Sequence, residues 1–182
     1  MTLYTTAFKG LGQITARELC RQFGNSLSKT RTDRVRDYDL VQFDLKGDPT
    51  NLRQLGTVED IFVHLADVPL TGEKKDLDTL ADTFNRISLD PGLQLHKQYN
   101  KPPRGHTRYR VIVQASMQPW QSYRRNQMQQ TIEQAIGNKF SQWHLVPDNA
   151  NVEFWLQQTG KQIRLGLRLT DHTMRHRTYK TA

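Results

Sequence analysis

Between Gln162 and Leu169 the apolar residues Ile163, Leu165, Leu167 and Leu169 occupy every second position, separated by Arg164, Gly166 and Arg168. This period of two is the signature of a β-strand, whose successive side chains point to opposite faces of a sheet. Residues 152–156 alternate in the same way, and Gln158-Thr159-Gly160-Lys161 reads as the turn that joins the two runs into a hairpin. A lone hairpin is barely stable in water, so this chain must supply further strands or helices to cover it.

The rest of the sequence supplies them. Residues 3–9 read as a short strand, followed by a helix over 10–23 with Leu11, Ile14, Leu19 and Phe23 along one stripe and Gly24-Asn25 as its stop. Residues 26–37 are polar, carry Lys29, Arg31, Arg34 and Arg36, and read as an exposed loop offering a secondary contact to an anion. A strand is expected over 38–45, a turn at Gly47-Asp48-Pro49, a short helix around Leu52 and Leu55, and a central strand over 60–70 with apolar residues on both faces. Asp76 reads as the N-cap of a helix bearing Leu77, Leu80, Ala81, Phe84 and Ile87, which Asp90-Pro91-Gly92 ends. Residues 91–107 show no period and are expected to form a mobile basic loop. In 108–115 the alternation puts Arg108 and Arg110 on one face and Tyr109, Val111 and Val113 on the other. A helix should then run from Pro119-Trp120 to about Lys139, with Met128, Ile132, Ala135 and Ile136 buried. Strands alternating with helices in this order define an α/β or α+β arrangement, with helices on one face of mixed sheets.

Charge is distributed unevenly. Residues 96–182 hold 14 Lys and Arg against 4 Asp and Glu, whereas residues 1–95 hold 12 against 14, so the net charge of +8 arises in the second half. Such asymmetry points to a polyanionic partner, and nucleic acid is the first candidate. Acidic residues able to neutralise the cluster are scarce after His96, and aromatic residues are interleaved with the charges: Tyr99, Tyr109, Trp120, Tyr123, Trp143, Trp155 and Tyr179. Trp155 lies across from the Val152, Phe154 and Leu156 stripe, where it either covers a second layer or stacks on a base. Arg124 and Arg125 near a helix start are locally unfavourable with the macrodipole, and suit a bound phosphate.

Other classes find little support. No run approaches the roughly 20 apolar residues of a membrane span, and the opening residues lack a signal-peptide pattern, so a cytoplasmic protein is expected. The sequence has no glycine-rich phosphate loop, paired cysteines for zinc or nucleophile elbow. The single Cys20 reads as a buried structural thiol. His172 and His176, four apart, lack a third ligand and an intervening base, so an ordinary basic terminus is the better reading. His64, in an apolar strand, reads as a hydrogen-bonded core histidine, and Asp148 and Glu153 show no reason to share a target. Two alternatives remain: a small hydrolase or nuclease using His106, His144 or His172 as acid or base, and a purely structural partner-binding domain.

With these residues in view, the chain resembles the amino-terminal half of THUMP-domain RNA methyltransferases, which modify guanosines in transfer or ribosomal RNA. Leu3-Tyr4-Thr5-Thr6-Ala7-Phe8-Lys9-Gly10-Leu11 and Glu18-Leu19 are similar to that family's first strand and helix. Residues 52–66 resemble its next helix and strand, 152–169 its closing hairpin, and Met174-Arg175-His176-Arg177-Thr178-Tyr179-Lys180 the signature leading into its catalytic domain. The pattern departs at Ser116-Met117-Gln118-Pro119, where relatives tend to carry a basic residue.

The resemblance implies an α+β chain: a ferredoxin-like module over 1–55, a THUMP α/β domain of mixed sheets over 56–170, and a linker from 171. It implies S-adenosylmethionine as cofactor of a catalytic domain outside these residues, for neither the family's glycine-rich cofactor loop nor its Asn/Asp-Pro-Pro-aromatic motif occurs here. No catalytic, cofactor or metal residue is therefore assigned within the chain. A THUMP module of another RNA-modifying enzyme, of thiouridine synthase type, is the nearest alternative. The expected partner is structured RNA, transfer RNA first and ribosomal RNA second. Its expected contacts are Lys101, Arg104, Arg108, Arg110, Tyr123, Arg124, Arg125, Lys139, Arg164, Arg168, Arg175, Arg177 and Lys180.

Overall fold

The computed structural model describes residues 1–35, 37–100, 105–170 and Met174. They divide between two compact units, one drawn from Met1–His64, Gln94–Asn100 and Arg168–Ala182, the other from Leu65–Leu93 and Lys101–Leu167. The architecture is α+β, as the alternation of periods requires.

In the first unit, β1 (Thr2–Phe8) lies between β3 (Tyr38–Leu45) and the first half of β4 (Val58–Pro69), antiparallel to both, and β2 (Leu27–Arg34) flanks β3. Helix α1 (Gly12–Phe23) packs on this sheet through Gly12, Thr15 and Leu19 and not through Ile14, which is half exposed. The reason is steric: a Cβ on Gly12 would stand 2.7 Å from Thr32 Cγ2 and 2.9 Å from Asp39 Cβ, so the helix sits too close to the strands for a larger residue. Asp39 also accepts from the N–H groups of Gly10 (3.0 Å) and Gly12 (2.9 Å), satisfying donors that a helix start leaves unpaired. Cys20 is exposed, correcting the buried-thiol expectation, because the buried stripe runs through Gly12, Thr15 and Leu19.

Two other expectations are corrected. Residues 26–37 contain a strand, β2, at the outer side of β3. An edge strand can be polar on both faces and so carries no apolar alternation. Its cations are matched locally: Lys29 with Asp44 (3.1 Å), Arg31 with Asp33 (2.8 Å) and Arg34 with Asp39 (3.6 Å). Asp90-Pro91-Gly92 does not simply stop a helix; it starts one, α3 (Asp90–Tyr99). Proline fits the first helical turn, and Gly92, Leu95, His96 and Tyr99 form a buried stripe at spacings of three, one and three.

In the second unit the sheet order is the distal half of β4, then β8 (Gln162–Arg168), β7 (Val152–Thr159), β5 (Arg108–Gln114) and the two-residue β6 (His144–Leu145). The expected hairpin is present, with Thr159 opposite Gln162. β5 runs parallel to β7 and β6, a pairing that requires the crossover supplied by α4 (Arg125–Lys139). Helix α2 (Lys75–Arg86) packs with α4 on one face of this sheet, where Phe84 meets Phe154 edge-on at 5.5 Å. Helix α4 begins at Arg125, not at Pro119-Trp120. The hydrogen bonds from Ser122 N–H and Oγ to the Gly72 carbonyl (both 2.8 Å) hold the preceding segment in a turn.

The half-buried Glu18 and the buried Asp76 give stability a defined pH dependence. Burial pushes Glu18 up, but the Thr57 hydroxyl (2.6 Å) and the N–H groups of Gly56 and Thr57 outweigh it and hold the carboxyl below its usual range. Burial likewise acts against Asp76, and donors from Thr71, Gly72 and Tyr123 hold it low. A carboxyl whose folded pKa is depressed stabilises fully above its unfolded value and loses that contribution as pH falls through the folded one. Thermal melts should therefore fall below about pH 4.5. Glu18→Gln and Asp76→Asn should each lose about 1 to 3 kcal/mol at pH 7 and show a flatter acid limb.

Candidate nucleic-acid interface

Strand register sorts the predicted contacts onto faces. Tyr109, Val111 and Val113 point toward α4, where the Tyr109 hydroxyl donates to the Glu133 carbonyl (3.1 Å). Arg108, Arg110 and Ile112 occupy the opposite face, opposite Glu153 and Trp155 of β7, and continuing the register places Arg164 of β8 there too. Arg108 and Arg110 thus share a face as their spacing implies, and strand pairing adds Arg164 to it, but most of these arginines are not available to a phosphate.

Arg110 donates to Glu153 from Nη2 (2.6 Å) and Nε (2.9 Å), with Asp148 at 3.5 Å. Asp148 and Glu153, expected to be unrelated, therefore converge on one guanidinium. Arg164 is buried against Asp67 (3.0 Å), and Arg168 against the fully buried Asp60 (2.6 Å). Trp155 is buried and donates to Glu153 (3.0 Å), which selects the covering role over base stacking. Arg164 and Arg168 are accordingly corrected from phosphate contacts to internal ion pairs. The acids that neutralise them, Asp60 and Asp67, come from β4, not from the acid-poor second half.

Tyr123 is corrected too. It is buried, its hydroxyl donates to Asp76 (2.8 Å), and burial with that carboxylate alongside pushes the phenol up to about 12. It stays a protonated structural donor. Lys139 is exposed, and its Nζ donates to the carbonyls of Asn85 (3.0 Å) and Ile87 (2.7 Å) at the end of α2, where a cation complements the helix dipole. Lys101, Arg104, Arg175, Arg177 and Lys180 lie outside the described residues. So does His172.

Four predicted contacts are exposed: Arg108, Arg124, Arg125 and Lys139. None makes an ion pair with another described residue. Arg124 flanks the start of α4, where its N–H donates to Gln127 Oε1 (2.8 Å), and the first turn holds no acidic residue. Lys161, not among the expected contacts, is exposed and lies 5.6 Å from the Trp120 ring centroid. Arg108 stands toward the other end of α4, because it pairs in register with His144, five residues beyond Lys139. A helix of 15 residues is about 22 Å long, so Arg108 lies apart from Arg124 and Arg125 and does not continue one strip with them.

Around Arg108 the structure assembles groups that sequence separation concealed. The His106 and His144 rings stack in parallel, centroids 4.8 Å apart with planes 9° from parallel, and Phe140 stacks on Trp143 at 4.2 Å. Only the β5–β6 pairing, Arg108 opposite His144, brings the imidazoles together. A cleft of about 410 Å³ opens nearby between α4 and the edge of β5, lined by residues including Arg110, Ile112, Glu133 and Leu145. Among the described residues no cluster of three or more His, Cys, Asp or Glu could hold a metal, and no helix is long and apolar enough to cross a membrane.

This α+β arrangement recurs in known structures, although no family model and no curated protein matches the chain. It is similar to TrmN from Thermus thermophilus, with a TM-score of 0.70 at 14% identity, over 93% of this chain and 46% of that one. It is also similar to a 4-thiouridine synthetase in complex with RNA and ATP (TM-score 0.57, 9% identity, 92% and 41% covered). A third likeness is to a methyltransferase, SMU.472, complexed with SAH (TM-score 0.54, 14% identity, 92% and 41% covered). The chain thus spans less than half the length of each. At these identities the likeness establishes the fold.

Proposed function

We propose that this chain is the RNA-capturing part of an RNA-modifying enzyme, a THUMP-type module serving a methyltransferase that acts on guanosine in structured RNA, transfer RNA first. The observation that carries the reading is the presence, among the described residues, of exposed cations without an acidic partner, including Arg108, Arg124, Arg125 and Lys161, on a fold shared with a protein solved in complex with RNA. Cations toward both ends of a helix about 22 Å long favour a structured RNA, since a rigid duplex can span both while a flexible strand must be ordered to do so. Such contacts hold phosphates and position the substrate without reading its sequence. The division at residues 55 and 170 belongs to the same proposal. Transfer chemistry would reside with S-adenosylmethionine in a catalytic region of the whole protein. The chain has no glycine-rich cofactor loop, and no step is assigned to that group.

A thiouridine synthase parent is the second reading, supported by the same fold likeness. The hydrolase alternative is weaker. Parallel stacking puts both imidazoles on one side of any phosphate, whereas an acid and a base acting on it must reach it from different sides.

The test is a titration with unmodified transfer RNA at two salt concentrations. For three to four phosphates neutralised, affinity should fall about 20- to 150-fold between 50 and 200 mM salt. Replacing Arg124 and Arg125 by alanine should weaken binding by about 1 to 3 kcal/mol with the melting temperature unchanged. Absent or salt-insensitive binding would overturn the reading.

A further inference from the structure

The stacked imidazoles need an explanation that the fold does not provide. His106 and His144 are both exposed, so the stack buries little and adds little to stability. The backbone nevertheless positions both: the His144 N–H donates to the Thr107 carbonyl (2.9 Å), fixing the turn from His106 to Arg108 against β6. Arg108 and His144, paired in register, project to the same face.

The other charged groups on the surrounding elements are engaged elsewhere. Asp148 and Glu153 are bound to Arg110, Glu133 accepts from Gln129 (2.8 Å), and Lys139 is turned to the α2 carbonyls. Among the described residues, Arg108 remains as the exposed charge beside the two rings.

We propose that His106, His144 and Arg108 form a proton-linked phosphate subsite, which takes one phosphodiester of the RNA and binds a proton with it. The inference rests on the RNA-binding reading above. Two parallel imidazoles 4.8 Å apart, beside a guanidinium, present several N–H donors together. A phosphate at their edges favours the protonated ring, which gains a charge-assisted hydrogen bond. The proton comes from solvent and returns to it on release; no covalent bond changes.

The sign follows. An imidazole whose pKa rises on binding strengthens the complex fully below its free value, and the gain disappears as pH rises through the bound value. An imidazole ordinarily titrates near pH 6.5, so uptake of one proton should weaken affinity by about 5- to 10-fold from pH 6 to pH 8. His106→Asn and His144→Asn should each reduce that change to less than about 2-fold, whereas Arg108→Ala should weaken binding at every pH.

The experiment is a transfer RNA titration at fixed salt from pH 6 to 8 with the wild type and these variants, together with NMR titration of the His106 and His144 ring protons with and without RNA. Both ring pKa values are read in the wild-type protein, so the test does not depend on the folding of any variant. A rise in at least one of them on RNA addition, with the pH slope lost in the variants, supports the subsite. RNA binding that is pH-independent, or equally pH-dependent in the histidine variants, overturns the subsite and leaves the RNA-binding reading standing. Absence of binding at every pH overturns both.

Discussion

Asp60→Ala is expected to lower the unfolding free energy by about 3 to 5 kcal/mol, because it removes the fully buried carboxylate paired with the buried Arg168 guanidinium. Asp60 accepts from Arg168 Nε (2.7 Å) and Nη2 (2.6 Å) and from the Thr170 hydroxyl (3.2 Å), while Thr170 Oγ1 accepts from the Ile61 N–H (3.2 Å). Removing the carboxylate therefore breaks a network and not one contact. Arg168→Ala should be damaging for the reciprocal reason. The pair Asp60→Leu with Arg168→Met should recover much of the loss, since replacing both charges removes the desolvation penalty along with the attraction. Urea denaturation followed by circular dichroism measures all four proteins. A loss below about 1 kcal/mol in Asp60→Ala would show that water reaches the pair. An Arg168→Ala protein that fails to bind RNA would accordingly report damage to the fold.

Gly72→Ala is the second large effect. Gly72 has φ +93°, a left-handed conformation that costs a non-glycine residue about 1 to 3 kcal/mol. An added Cβ would also lie 2.3 Å from the Trp120 carbonyl oxygen and 2.6 Å from the Trp120 ring, and relieving that overlap should cost about 1 to 3 kcal/mol more. The clash falls on the segment leading into α4. There Ser122 donates to Gly72, Gly72 N–H donates to Asp76 (2.8 Å), and Asp76 accepts from Tyr123, so the start of α4 is anchored to the turn before α2. Its displacement should move Arg124 and Arg125 as well. The expected result is a lower melting temperature together with weaker RNA binding. A stable Gly72→Ala protein with wild-type affinity would mean that the Trp120 segment is not held in this position.

The misread elements share a cause. β2 was illegible because the outer strand of a sheet needs no buried face. α3 was illegible because Asp90-Pro91-Gly92 fits the end of one helix and the start of the next equally well, and only the packing of Leu95, His96 and Tyr99 decides between them. The candidate interface shows the same limit. Spacing put Arg108 and Arg110 on one face of their strand, and the register agrees. Spacing could not show that Arg164 meets Asp67 across 97 residues, or that Arg168 meets Asp60 across 108. Counting acids within the second half missed both partners.

By itself the sequence determined the strand alternation, the hairpin at Gly160, the buried stripe of α4 and the basic excess, because each depends on residues within a few positions of one another. Only the tertiary structure decided which cations are neutralised, which stay exposed at the two ends of α4, and that His106 and His144 meet. Charge pairing and ring stacking depend on distances through space, and strands distant in the chain set those distances when they pair.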